Sequence, residues 1–286
     1  MAKYLISTIL LLLYSFCGYA AANEVSNEFN RLKNANSRHL LHKGYEFLEQ
    51  CKYDSALIYY SAVTNRYYER KPDKDEIKDV VVAIVNIGII YMTCDYDYKK
   101  SYDYMLQAKE IAEANNCYDN LPSIYNCIAN ILHVSTILQK STRDNVLSEE
   151  MEVVDMLKRS FSMSIKIKDY ETMSYAMNNL IVIGMEDNGK YDLSDEIRQF
   201  RKYSGNFKNQ IVRLTVLLCS AYEYFRQKNY DKAIAILDKA MTNGSNIPLW
   251  YRHMLICQGI KTNIYITTKQ YDKAIASGRK SLSIAQ

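Results

Sequence analysis

His39 and His42 stand three residues apart, a spacing that sets two imidazoles on one side of a helix and could ligate a metal ion. No nearby carboxylate or thiol completes the set, so the pair reads as exposed or capping histidines. His133 and His253 stand alone. Cys51, Cys94, Cys117, Cys127, Cys219 and Cys257 form no C-x-x-C, which removes redox and zinc-finger spacings. All but Cys117 fall inside helical patterns or at their ends, where a thiol serves as a small hydrophobe. Free buried thiols are therefore expected, with disulfides as the alternative in an oxidising compartment. The acid pairs Glu149–Glu150 and Asp73/Asp75 sit in polar connections and read as first-turn charges that favour a helix start. No G-x-S-x-G, P-loop, G-x-G-x-x-G or H-E-x-x-H string occurs. The expectation is a non-enzymatic protein with no catalytic residue, no cofactor and no metal.

Composition turns the question toward surfaces. The 286 residues are 48% apolar and 24% charged, with only 9 glycines and 3 prolines but 26 tyrosines. Scarce turn residues and helix breakers favour long helices over a many-stranded sheet. Pro72, Pro122 and Pro248 each fall between periodic segments. The net charge of +4 is spread, with acids and bases mixed along the chain. Nucleic-acid binders carry a clustered basic stripe, so no nucleic-acid partner is expected.

The first 22 residues hold Lys3 and no acid. An apolar run, Leu5–Phe16, leads to Ala20-Ala-Ala22, the form of a secretory signal peptide cleaved after Ala22 or Ala20. The run is shorter than the roughly 20 residues that span a bilayer. Cys17 raises a lipoprotein reading, but it follows Phe16 where lipidation normally wants a small residue. The domain reading is residues 1–22 as signal peptide, 23–35 as linker and 36–286 as the folded domain. Export to the periplasm or cell envelope is expected.

The elements that position any surface come from a repeat. Tyr-Asp-Lys-Ala-Ile-Ala occurs at Tyr230–Ala235 and again at Tyr271–Ala276, 41 residues on. Looser copies begin at Tyr53, Tyr98 and Tyr191. Around each, apolar residues recur at three and four, as in Leu214, Leu217, Leu218, Ala221 and Phe225, then break and resume. Helices are expected at about 123–139, 148–167, 171–185, 194–203, 231–241 and 250–268. Gly44, Gly88 and Ala221 on first helices, and Ala56, Ala233 and Ala274 on second helices, leave room for close crossing.

This pattern resembles the tetratricopeptide repeat over residues 36–286. The first unit carries it in Leu40, Gly44, Phe47, Tyr53, Ala56 and Tyr60, and the fifth in Ala221, Tyr224, Tyr230, Ala233, Leu237 and Ala240. The spacings of 45 (Tyr53 to Tyr98), 39 (Tyr191 to Tyr230) and 41 exceed the usual period of about 34. Gly278 stands where a large residue is usual. The resemblance implies an all-α, right-handed superhelical solenoid of about six hairpins. It also implies a concave groove, lined by first helices, that binds a protein or peptide. The slots fall on Arg38, His42, Tyr45 and Glu49; on Asn86, Ile89 and Met92; on Tyr222, Phe225 and Arg226; and on Ile260, Asn263 and Ile266. They do not supply the lysine and asparagine set that some members use to clamp a terminal carboxylate.

Three readings follow from the resemblance. The first is a peptide-binding scaffold in a bacterial cell envelope. The second is the periplasmic sensor portion of a membrane-spanning transcriptional or signalling regulator that continues past Gln286. The third, weaker, is a glycan-capturing lipoprotein held by Cys17. Membrane attachment is expected only through a downstream helix or a lipidated Cys17. The final hairpin lacks a capping element, which leaves oligomerisation through its face open.

Overall fold

The computed structural model describes residue 32 and residues 35–69, 72–94, 97–139, 146–187, 189–205, 210–242 and 250–285. The leader, its cleavage site, Cys17 and the 140–144 connection lie outside the described residues. So do the side chains of Glu149, Glu150 and His253. Twelve α-helices and no strands occur among the described residues. They are α1 (Ser37–Glu49), α2 (Tyr53–Glu69), α3 (Lys74–Thr93), α4 (Tyr98–Ala114), α5 (Leu121–Gln139) and α6 (Val146–Ile167). Then come α7 (Tyr170–Glu186), α8 (Ser194–Ser204), α9 (Gln210–Arg226), α10 (Tyr230–Thr242), α11 (Trp250–Thr267) and α12 (Tyr271–Ala285). The ends fall within two residues of those read from the apolar periodicity. The chain divides into two compact units, Met1–Ile124 and Tyr125–Gln286.

Helix starts follow from side-chain caps. Asn36, Asp73, Asp97 and Asp169 each accept a hydrogen bond from the backbone N–H three residues on, at 2.9–3.1 Å. Helix ends follow a second rule. Among the described residues six have positive φ: Cys51, Asn116, Lys168, Gly189, Lys228 and Lys269. Each lies two residues before a tyrosine: Tyr53, Tyr118, Tyr170, Tyr191, Tyr230 and Tyr271. The left-handed residue reverses the chain, and the next N–H closes a bond onto the finished helix. Examples are Lys52 N to Phe47 O at 2.9 Å and Gln270 N to Tyr265 O at 2.8 Å.

In the first unit α1 pairs with α2 and α3 with α4, while α3 also lies against α1 and α2. Small residues set the closeness. A Cβ on Gly44 would stand 2.5 Å from the Tyr60 ring, and Ser101 Oγ of α4 donates to Gly88 O of α3 at 2.7 Å. Tyr60 is fully buried.

In the second unit α6 pairs with α7, α9 with α10, and α11 with α12. Helix α7 is central, touching α6, α8, α9 and α11. Gly184 on α7 admits the Tyr222 ring, whose nearest atoms would lie 2.7–2.9 Å from an added Cβ. The core here is Leu157, Phe161, Met177, Leu180, Phe200, Leu218 and Tyr222, all under 3% exposed.

The glycines make a graded test. Gly44→Ala and Gly184→Ala drive a methyl into a buried tyrosine ring and are expected to lose about 1–3 kcal/mol of stability. Gly88→Ala meets the flexible end of Met105 at 2.7 Å, with Ser101 O and Tyr104 Cβ at 3.3 Å, and is expected to cost less than a clash with a ring. Gly278→Ala meets nothing within 4 Å and is expected to gain about 0.5–1 kcal/mol from helix propensity. Urea denaturation of the four variants measures this. An unchanged Gly184→Ala midpoint would show that the tyrosine contact sets no limit on the packing.

Candidate functional site

On α1, Arg38, His42, Tyr45 and Glu49 form one exposed stripe at spacings of four, three and four. Tyr45 is 49% exposed. Beside the stripe, Glu46 takes Lys43 Nζ at 2.6 Å and His42 Nε2 at 3.3 Å. The hydrogen bond to Lys43 holds the Glu46 carboxyl below the usual range, and the same contact raises Lys43. On the adjoining α3, Asn86, Ile89 and Met92 are half-buried. These seven groups therefore lie on two neighbouring helices of one unit and remain accessible.

The second-unit slots divide differently. Tyr222, Phe225 and Ile260 are buried and present no surface to a ligand. The reason is the enclosure of α9 by α7, α8 and α10, and of α11, which carries Ile260, by α7, α10 and α12. The Tyr222 hydroxyl donates to Tyr191 O at 2.5 Å, and burial pushes it up to about 12. The Phe225 ring meets Tyr230 edge-on at 5.7 Å. Arg226 is exposed but engaged, with Nη1 2.5 Å from Asp192 Oδ1. Asp192 also accepts from the Ser194 hydroxyl and backbone N–H, and these bonds, then Arg226, lower it to about 2. Asn263 is half-buried, and Ile266 is exposed at the end of α11.

Two features were not singled out by residue type or spacing, and a third, the face of the final hairpin, was. Arg66, buried on α2, donates to Ser37 Oγ at 2.7 Å, Glu76 Oε1 at 3.3 Å, Leu32 O at 3.3 Å and Ala35 O. It ties the start of α1 to α3 at the floor of an open cleft of about 700 Å³. Asp79 on that cleft is pushed up by burial against the pull of Arg38, with Glu76, Asp75 and Asp73 adding to the rise. The second feature lies at the α1–α2 turn. Exposed Cys51 and half-buried Cys94 share an open cleft with Tyr53, whose hydroxyl is raised by the two neighbouring thiols and by burial. The third is the outer face of α12, where Tyr271, Ile275 and Leu282 are exposed.

No protein-family model matches the chain, and no curated protein is significantly similar to it. The chemistry of these surfaces therefore rests on their own geometry. Among the described residues no three His, Cys, Asp or Glu side chains converge as a metal cage would require. Among the same residues no helix is long and apolar enough to cross a membrane. The accessible groups of α1 and α3 are a guanidinium, an imidazole, a phenol, a carboxylate, an amide and two apolar side chains, which between them can donate, accept and make apolar contact.

The thiols separate by environment. All six described cysteines are free, but only Cys117, Cys127, Cys219 and Cys257 are buried. Burial pushes Cys127, Cys219 and Cys257 up to about 12, which keeps them protonated and unreactive. Iodoacetamide at neutral pH is expected to label Cys51 first and Cys94 next. The three raised thiols should react only after denaturant is added. Peptide mapping by mass spectrometry reads the order, and early labelling of Cys219 would contradict the packing of α9.

Proposed function

We propose that the chain is a non-enzymatic scaffold that captures a protein or peptide segment on the exposed faces of its first helices. The observation that carries this reading is the α1–α3 surface. The stripe Arg38, His42, Tyr45 and Glu49 is exposed at helical spacing, and the helix packed against α1 carries half-buried Asn86, Ile89 and Met92. Apolar and aromatic anchors flanked by polar groups suit a bound helix or extended strand. The tetratricopeptide resemblance of residues 36–286 supports a superhelical stacking of the hairpins, which would extend such a face into a groove. The basic, apolar and small-residue order of residues 1–22 supports export to a bacterial cell envelope.

Two experiments test the two halves of this reading. Peptides selected from a displayed random library against the purified chain are expected to lose about tenfold or more in affinity with Tyr45→Ala or Met92→Ala. Tyr118→Ala, which removes an equally exposed tyrosine on another element, should leave binding unchanged. Selected peptides that ignore Tyr45 and Met92 would refute the site. For export, residues 1–35 fused to alkaline phosphatase are expected to give activity in a bacterial host, since that enzyme folds only outside the cytoplasm. An inactive but expressed fusion would refute the envelope location.

A further inference from the structure

Cys51 occupies a position that packing does not explain. It is one of the six left-handed positions that end helices, and the other five hold Asn, Lys or Gly. Any of those would serve the turn as well. Cysteine is among the residue types most often buried, yet among the six described cysteines Cys51 alone is exposed. Cys94 stands at the C-cap of α3, 43 residues on, and is half-buried. Both thiols line one open cleft of about 550 Å³. The Tyr53 hydroxyl on the same cleft has both as neighbours. Thr93 Oγ1 donates to Ile89 O at 2.8 Å and stands 3.3 Å from Cys94 Sγ, so the thiol is the donor in that contact. Cys117, Cys127, Cys219 and Cys257 are buried, which shields them from a dissolved oxidant.

We propose that Cys51 and Cys94 form a dithiol site that a small-molecule disulfide oxidises to a covalent clamp between the α1–α2 turn and the end of α3. The Cys51 thiolate attacks one sulfur of the oxidant R–S–S–R, forms Cys51–S–S–R and releases RS⁻. The Cys94 thiolate then attacks Cys51 Sγ, forms the Cys51–Cys94 bond and expels the second RS⁻. The two protons given up by the protein thiols end on the released thiolates. The chain is oxidised by two electrons and one oxidant becomes two molecules of RSH. Exposure makes Cys51 the attacking thiol, and half-burial makes Cys94 the resolving one. The second step takes place within one molecule, which favours it over release of the adduct. A disulfide sets its Cα atoms about 4.4–6.8 Å apart, and a turn and a C-cap adjust to that more readily than helix interiors do. Both residues belong to the first compact unit. The proposal requires neither peptide capture nor export, since any small disulfide serves as the oxidant.

The test treats the full chain with oxidised glutathione at mildly alkaline pH. Remaining thiols are blocked with iodoacetamide in denaturant, and tryptic peptides are mapped by mass spectrometry. The expected product joins the peptide of residues 44–52 to that of residues 79–99, and dithiothreitol should separate them. With Cys94→Ser, the glutathione adduct on Cys51 should accumulate to about tenfold or more above its level in the parent. With Cys51→Ser, Cys94 should take up glutathione several-fold more slowly than Cys51 does. The oxidised chain should melt a few degrees above the reduced one, because the bond constrains the unfolded chain. Thiols left unmodified, or adducts that persist on Cys51 and Cys94 without the linked peptide, would overturn the proposal. So would a linked peptide that forms no faster in the folded chain than in urea, since the fold would then not be what pairs the thiols. An oxidised chain that melts below the reduced one would overturn it too, because the bond would then work against the fold.

Discussion

A helix that is apolar around most of its circumference is stable only when neighbours enclose it, and α7 is such a helix. Ten of its seventeen residues are buried, including Met173, Met177, Leu180 and Ile183. It is satisfied by contact with α6, α8, α9 and α11. Helix α3 shows the same demand in the first unit, burying Val80, Ala83, Ile84, Ile87 and Ile90 against α1, α2 and α4. Helix α8 needs far less and buries one narrow stripe, Ile197, Phe200 and Ser204. The rest of each unit follows from this inequality. A hairpin on its own leaves its richer helix half uncovered, so it gains stability only from the helices stacked beside it.

Stacking at that distance requires turns that reverse the chain tightly, and this chain makes them with few glycines. Five of the six left-handed positions hold Cys, Asn or Lys, at a cost of roughly 1–2 kcal/mol each for a residue with a Cβ. The backbone bonds that finish the helix and the tyrosine two residues later offset it. Those tyrosines do not all act alike. Tyr230 packs on Phe225, while Tyr118 and Tyr271 remain more than half exposed. The turns at Tyr53, Tyr191, Tyr230 and Tyr271 were legible because a recognisable start to a second helix follows each one. Tyr118 and Tyr170 were not, since Asp119-Asn-Leu121 and Glu171-Thr-Met173 break that pattern. The turn belongs to the way a helix ends, and only some such ends open a repeat.

Helix positions were legible almost to the residue, whereas burial of the candidate surface was legible in one unit and misread in the other. Periodicity says which side chains share a side of a helix. It does not say which side a neighbour covers. On α1 the stripe from Arg38 to Glu49 stays open. On α9 the corresponding aromatics are closed off, and Tyr222 is fixed by a carbonyl 31 residues away. Arg66 went unseen for the same reason. Its partners Ser37, Ala35 and Leu32 lie 29 to 34 residues back, and nothing around Asn65-Arg66-Tyr67 marks a cation meant for the interior.

The doubled hexapeptide isolates this effect of surroundings. Its two copies start helices of like length and expose different faces, so the covering neighbour decides burial. The residues after the hexapeptide then matter. On α10 the inner side is completed by Ile236 and Leu237, and Leu237 is fully buried. On α12 Ser277 and Gly278 stand there instead, and Ser277 Oγ bonds Gln258 O at 3.2 Å and Oε1 at 2.8 Å. Losing a buried leucine forgoes about 1.5–3 kcal/mol, and two hydrogen bonds recover part of it. Yet the outer side keeps its tyrosine, its isoleucine and a leucine for methionine. Helix α12 has thus shed apolar weight on the side that α11 covers and kept it on the other, so the two sides of one repeated helix vary independently.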